Sequence, residues 1–384
     1  MDGMTLRDKA TAQATANATD WPHVLAENAA AVDRAGEFPW ESLEALHAEG
    51  VLALTVAPQD GGGGAGLAQV TEVVRQAGQG CAATALILSM QLIHVHATRS
   101  WPEALRRRVG RSVVGNGGLV NALRVEPALG TPARGGLPDT IARRTAEGWS
   151  LSGRKIYSTG APGLAWMLVF ARTDEDTPRT GQFLVPGRAP GVTIVESWDQ
   201  MGLRGSGSHD VMFNDVAIPA DHAVDLRPPA DWRHVDAAAT AWSALPIAAL
   251  YTGVAEAARD WIVGFLRDRA PANLGAPLAT LPRMQEAVGR IEALLLTNRR
   301  LVAAAAADTD AGRPPTPSEA GLLKTVAAEN AIAAVQEAMQ LAGNHGLSRA
   351  NPLERHLRDV LCARIHTPQP DAAHLAAGRI ALGQ

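Results

Sequence analysis

Apolar residues recur at helical spacing from early in the chain. The stretch 21–35 predicts an Ala-rich helix, Pro39-Trp40 opens a second over 41–49 closed by Gly50, and 69–77 (stopped by Gly78) and 82–101 predict two more. Between them, Pro58-Gln59-Asp60 and the glycines 61–64 predict a flexible turn. No strand precedes it and no Lys-Ser/Thr follows, so it lacks the form of a phosphate loop. Near Gly115 the period changes. Short alternating runs at 140–144, 149–152, 167–172, 181–185, 192–196 and 210–216, separated by Gly, Pro and Asp, predict an antiparallel sandwich or barrel. From about Asp236 helical periodicity returns over 237–267, 284–307, 317–342, 352–365 and 371–382, which predicts an antiparallel four-helix bundle. The expected fold class is therefore α+β in the order α–β–α: a helical N-terminal domain (1–115), a β middle domain (116–230) and a C-terminal helical bundle (231–384). That order excludes a doubly wound α/β sheet, which needs alternating strands and helices. No GxGxxG follows a strand, which argues against a nicotinamide site.

Composition narrows the class. Of 384 residues, 46% are hydrophobic and 19% charged, the balance of a globular protein rather than a disordered one. The formal charge of −4 argues against nucleic acid as the main partner. Two cysteines cannot make a disulfide framework, and the first twenty residues carry no apolar signal core; the expected location is cytoplasmic. The longest apolar stretch, 237–258, is interrupted by Ser243, Pro246 and Tyr251 and reads as a buried core helix, not a membrane span. No His/Cys/Asp cluster has metal-ligand spacing, so no metal is expected. Ser206 and Ser208 lie in a Gly-rich turn without a nucleophile elbow, which argues against serine hydrolase chemistry.

Six strings in order then carry a resemblance. Val56-Ala57-Pro58-Gln59-Asp60-Gly61-Gly62 resembles a Pro-x-x-x-Gly-Gly loop, and Val125-Glu126-Pro127-Ala128-Leu129-Gly130-Thr131 a Thr-Glu-Pro-Gly-Ala-Gly-Ser segment. Gly153-Arg154-Lys155-Ile156-Tyr157-Ser158-Thr159 matches a Gly-x-Lys-x-(aromatic)-x-Thr strand, and Met201-Gly202-Leu203-Arg204 a Met-Gly-x-Arg turn. Gln340-Leu341-Ala342-Gly343-Asn344-His345-Gly346 resembles Gln-x-x-Gly-Gly-x-Gly, and Arg358-Asp359 the pair that follows it. Together they resemble the acyl-CoA dehydrogenase superfamily of flavoproteins from about Trp21 to the C-terminus. The resemblance implies FAD (or FMN supplied as reduced flavin), a small-molecule substrate that can be a CoA thioester, and a homotetramer or homodimer. It assigns the ring to Val125, Gly130, Thr131, Tyr157, Ser158 and Thr159. Gln340, Gly343, Asn344 and Gly346, with Arg269, would serve a neighbouring subunit's flavin; on their own, Gly343 and Gly346 read equally as a helix end.

Dehydrogenation of an acyl thioester needs a base for the α-proton. In the family this is a Glu that, counted from Arg358-Asp359, falls on Thr367; the alternative position, counted back from Gly253, falls on Ser243. Neither residue is a carboxylate. Three readings follow: a dehydrogenase whose base comes from Asp371, Asp199 or Glu126, a monooxygenase using reduced flavin and dioxygen, or a non-catalytic flavin-binding scaffold. The dibenzothiophene and alkylsulfone monooxygenase-like branch has a similar Tyr-Ser-Thr-Gly-Ala string and a His-containing string where dehydrogenases have Tyr-Glu-Gly-Thr, matched by Tyr157–Ala161 and His366. His366 titrates near neutral pH in its ordinary state and is the candidate proton-handling group, with Thr367 beside it. His94, near the family's substrate tunnel, is the second candidate. His96 lies two residues on and faces another side of the helix, so the two are no metal pair.

Overall fold

The computed structural model describes residues 20–128, 137–233 and 236–384. Asp20 caps the first helix, α1 (Trp21–Ala35), its carboxylate accepting from the His23 amide, and Gly36 closes it in the left-handed conformation. The helices α2 (Trp40–Ala48), α3 (Leu67–Gly80), α4 (Ala82–Ala97) and α5 (Glu103–Asn116) complete the N-terminal layer. Gly78, expected to stop the third helix, lies inside it. A Cβ at Gly78 would land on the Leu250 carbonyl, and one at Gly253 on the Arg75 carbonyl. The two glycines let α3 cross α6 (Ala237–Asp268) in backbone contact, a requirement set by the partner helix and not by local propensity.

Eight strands form one sheet: β1 (Leu119–Leu123), β2 (Ile141–Arg144), β3 (Gly148–Ser158), β4 (Leu164–Thr173), β5 (Thr180–Pro186), β6 (Val192–Val195), β7 (His209–Pro219) and β8 (Ala223–Arg227). The order is β6-β7-β3-β2-β4-β5-β8, with β1 also beside β4. The pairings are antiparallel except two: β1 and β2 both run parallel to β4, sharing one of its edges at residues 164–169 and 172–173. The sheet is therefore mixed where a purely antiparallel one was expected, because β1 pairs with β4, three strands further on, and β2 pairs with β4, two strands further on, as well as with the next strand. Leu151, Val169, Phe183, Val211 and Phe213 face the main core. Val120, Trp166, Leu168 and Leu184 face Leu105, Val109 and Val113 of α5.

The C-terminal layer holds α6 (32 residues), α7 (Pro282–Asp310) and α8 (Pro317–Ala342), joined by the short α9 (Leu353–Leu361) and α10 (Pro370–Ala381). A capping box between Thr316 and Glu319 starts α8. Helix α6 is long and apolar enough to cross a membrane, yet most of that stretch is buried inside the protein, and it continues through Pro246. At the end of α7 the Asp310 carboxylate accepts from the amides of Leu67 (2.7 Å) and Ala68 (2.9 Å), capping α3 from the bundle side. Gly253→Ala is expected to destabilise the protein by about 2–3 kcal/mol through overpacking at the α3–α6 crossing. An unshifted midpoint in urea denaturation would show that the crossing tolerates a methyl group.

Candidate active site

Strand β3 alternates inward and outward until its end, where the alternation breaks. Lys155 is fully buried, whereas Tyr157 has φ 56° and is 57% exposed; the pairing with β7 slips between Lys155 and Ser158. A bulky residue in the left-handed region costs on the order of 1–3 kcal/mol, and such strain concentrates at functional sites. The outward ring meets Trp198 edge to face, centroids 6.3 Å apart. The Ile156 amide donates to the Val125 carbonyl (3.0 Å), which lays residues 124–126 alongside the strand end. Ser158 is buried and its hydroxyl has no partner among the described residues. The Thr159 carbonyl accepts from Asn121 Nδ2 (2.8 Å), and its hydroxyl joins a chain through Ser208 (3.0 Å) to Ser206 (2.7 Å). Val125, Tyr157, Ser158 and Thr159 are thus brought together. Gly130 and Thr131 lie outside the described residues.

Glu126 is spent on architecture. Its buried carboxylate accepts from Lys155 Nζ (2.6 Å), the Thr140 hydroxyl (2.6 Å) and amide (3.1 Å), and the Asp139 amide (2.7 Å). Burial works against its ionised form, but Lys155 and these hydrogen bonds outweigh that and hold it below the usual carboxylate range. It is not free to act as a base.

The Met201–Arg204 turn and the Arg358-Asp359 pair, far apart in sequence, meet in space. The Leu203 amide donates to Asp359 (2.7 Å), and Arg358 donates to the Met201 carbonyl (2.7 Å) while pairing with Asp33 of α1 (2.6 Å) and Glu354 (2.8 Å). Leu203 is held at φ 54°, and its carbonyl accepts from the Trp198 indole (3.0 Å). Trp198, the neighbour of Tyr157, is therefore fixed from the bundle side. Burial raises the Asp359 carboxyl to about 6.

After α9 the chain turns through residues 362–368 beneath α8. The buried Lys324 ammonium donates to the carbonyls of Ala363 (2.6 Å), His366 (2.8 Å) and Pro368 (3.3 Å). Burial lowers it to about 8, so at neutral pH it is still charged. The His366 ring lies 5.8 Å from that of Tyr251 in α6, and its Nε2 is buried without a partner. Burial, with Lys324 nearby, lowers His366 to about 4, so it is neutral at pH 7. Thr367 is exposed, as is Ser243, whose hydroxyl donates to the Ala239 carbonyl. Asp371 is exposed in the first turn of α10, and Asp199 is exposed, with Arg204 3.5 Å away.

His94 and His96 point apart, as helical geometry requires. His94 is half-buried and lowered to about 4 by burial and by Arg124, whose guanidinium lies over Phe170 (5.3 Å) and Trp232 (5.9 Å). His96 stacks on Trp242 (3.5 Å).

At the far end of α8 the chain makes a second cluster. Gly343 takes φ 55°, ψ −133°, a conformation essentially restricted to glycine. Phe265 near the end of α6, four residues before Arg269, meets the His345 ring (5.1 Å); Gln340, Asn344 and Arg269 are exposed. Gly346 is buried against Met339. Gln340 lies sixteen residues beyond Lys324, about 24 Å along the helix axis. This cluster therefore stands well away from the Lys324–His366 turn along the same helix.

Three domain models of one family match in sequence order: the acyl-CoA dehydrogenase N-terminal domain over residues 14–104, middle domain over 124–216 and C-terminal domain over 245–369. The chain is 35% identical over 358 residues to the putative acyl-CoA dehydrogenase YdbM of Bacillus subtilis (strain 168), covering 90% of each chain. The chain belongs to the acyl-CoA dehydrogenase family. It is also 30% identical to L-evernosamine nitrososynthase of a Micromonospora species, over 94% of this chain and 88% of that protein. Among solved structures it resembles KijD3 in complex with FMN and dTDP-3-amino-2,3,6-trideoxy-4-keto-3-methyl-D-glucose, with a TM-score of 0.82 and 28% identity over 96% and 95% of the two chains. These relatives are flavin-dependent oxidoreductases, the kind of protein this acyl-CoA dehydrogenase family member is.

Three residues with a visible role escaped the sequence reading. Tyr251 was noted only as an interruption of an apolar run. Lys324 could have been found as a lone cation on the apolar face of a helix. Arg124 gives no sequence signal, since its aromatic partners are 46 and 108 residues away.

Burial depresses six histidines: His94, His96 and His366 to about 4, His356 to about 3, and His47 and His209 by less. Between the ordinary value of 6.5 and these values the unfolded chain binds more protons than the folded one. Stability is therefore full above about pH 6.5 and is lost as pH falls. The raised Asp359 acts in the opposite sense and offsets part of the loss. Tm is expected to fall between pH 7.5 and 5, and His366→Gln to flatten that slope. A Tm that climbs toward acid would contradict the neutral histidines.

Proposed function

We propose that this family member is a flavin-dependent monooxygenase acting on a small organic substrate, and not an α,β-dehydrogenase of acyl thioesters. One arrangement supports the reading: beside Thr367, which the family resemblance counts as the base position, stands His366, lowered by burial so that it is neutral at pH 7, and the described carboxylates named as alternative bases are engaged or face solvent. Thr367 and Ser243 hold the two base positions, both exposed; Glu126 is saturated by Lys155 and Thr140, Asp359 is bound to the Leu203 amide, and Asp199 and Asp371 face solvent. The relatives that act on, or are bound to, amino sugars support the same direction.

The residues present fit a flavin. An unpartnered buried hydroxyl on Ser158, an outward aromatic wall of Tyr157 and Trp198, and the hydroxyl chain from Thr159 suit a flat ring with hydrogen-bonding edges. When bound, the cofactor would supply two-electron redox chemistry and, in its reduced form, reactivity toward dioxygen. The chain's own part is to hold and shield. Val125, Ser158 and Thr159 would bind the ring, and the Arg358-Asp359 clamp would keep Trp198 against it. Lys324 fixes the backbone that carries His366. A neutral imidazole there can donate or accept one hydrogen bond without bringing a charge into the site. His94, also neutral, would border the substrate from α4. The second cluster would serve the adenosine and pyrophosphate half of FAD in a neighbouring subunit, which makes a homo-oligomer part of the reading.

YdbM's name supports a second reading, an acyl-CoA dehydrogenase with a displaced base. The two are separated by mixing the yellow flavin-loaded protein anaerobically with butyryl-CoA or octanoyl-CoA. We expect no bleaching within minutes; rapid bleaching returns desaturation to first place, and a protein that takes up no flavin from excess FAD or FMN ends both readings. In calorimetric titrations we expect FAD to bind more tightly than FMN, and Arg269→Ala to weaken FAD about tenfold, the worth of one charge-assisted contact, while leaving FMN unchanged. Equal losses for both cofactors would remove the second cluster from the flavin site.

A further inference from the structure

Two neighbouring rings each carry a buried polar atom with no hydrogen-bond partner among the described residues: the Tyr251 phenol oxygen and His366 Nε2. Tyr251 is completely buried within the apolar core, where Phe would fill nearly the same space. Leaving a buried hydroxyl unpaired costs about 1–3 kcal/mol, so a phenol at this place has most to gain from a partner that arrives from outside the chain. The neighbouring polar groups are already engaged. Asp359 accepts from the Leu203 amide (2.7 Å), and Cys362 Sγ is directed at the Arg358 carbonyl (3.6 Å). Lys324 pins the backbone of His366, so the histidine cannot relieve its orphan nitrogen by moving that segment away.

We propose that Tyr251 and His366 form one hydrogen-bonding pair for the polar end of the substrate, a neutral group that both accepts and donates: a hydroxyl or an uncharged amine. This rests on the reading that the reacting centre lies at this junction. The phenol, which burial keeps protonated, donates to the ligand's oxygen or nitrogen, and the ligand's own hydrogen is donated to the neutral imidazole. A carboxylate offers no hydrogen to the imidazole and would have to be desolvated near Asp359. An apolar group leaves both atoms unpaired. Sites of this kind discriminate strongly against analogues that lack the hydroxyl.

The test uses the full chain with and without flavin. The probe is 1-hexanol, with 1-chlorohexane as the analogue lacking the donor, and the readout is the ¹⁵N resonance of His366 Nε2. In the wild type, 1-hexanol is expected to shift that resonance and 1-chlorohexane to leave it in place. Tyr251→Phe is expected to weaken 1-hexanol binding at least tenfold, and to leave the Tm of the ligand-free protein unchanged or raise it by about 1–2 °C, because an unpaired hydroxyl has been removed. Three results would overturn the pair: no His366 shift with 1-hexanol, equal affinity in Tyr251→Phe, or a Tm several degrees lower, which would show the phenol already satisfied in the free protein. His366→Gln supplies a second variant, expected to abolish the preference for 1-hexanol over 1-chlorohexane in competition against bound flavin absorbance. Failure to bind flavin would instead remove the proposed function, and the flavin-free titration would still decide the pair.

Discussion

The structure depends on one clamp. Arg358 and Asp359, adjacent on a nine-residue helix near the end of the chain, hold the Met201–Leu203 backbone of the sheet layer and Asp33 of the first helix at once. All three layers meet there. The charges are largely buried, so removing one partner would leave the other uncompensated at a cost of about 3–5 kcal/mol. What the clamp secures is local and specific: a left-handed Leu203, whose carbonyl fixes the Trp198 indole, which stands against the outward Tyr157. Strain at Leu203 and Tyr157 persists because groups from the other layers over-determine it.

A second theme is how the interior manages charge. Lys155 and Lys324 are both fully buried, and they solve the problem differently. Lys155 is neutralised by Glu126 and donates as well to the Phe170 carbonyl; Lys324 has carbonyl oxygens as its hydrogen-bond partners. The first tethers the loop before β2 to the sheet; the second shapes the turn carrying His366. His366 at that turn, kept neutral by burial, adds hydrogen-bonding capacity without adding charge. That arrangement suits uncharged chemistry better than abstraction of a proton from carbon, which asks for a free carboxylate.

The layer order, the helix lengths and most strands were legible because each rests on a local period: 3.6 for the helices, 2 for the strands. What escaped has a physical reason in each case. β1 is buried at four of its five positions and β8 at only one, so neither shows a two-residue alternation, and α5 is rich in arginine, so its apolar stripe of Leu105, Val109 and Val113 is easily overlooked. Gly78 looked like a helix stop because the crossing helix that requires it lies some 170 residues away.

The sequence alone determined the family pattern, the Tyr157-Ser158-Thr159 string at the end of β3, and that neither Thr367 nor Ser243 is a carboxylate, since each is a matter of residue identity at a countable position. Only the tertiary structure decided that Glu126 is spent in an ion pair, that the Arg358-Asp359 pair grips the Met201–Leu203 turn, and that Tyr251 and His366 come together with two unmet hydrogen bonds. Those are properties of distance and burial between residues from 29 to 157 positions apart, and no local period encodes them.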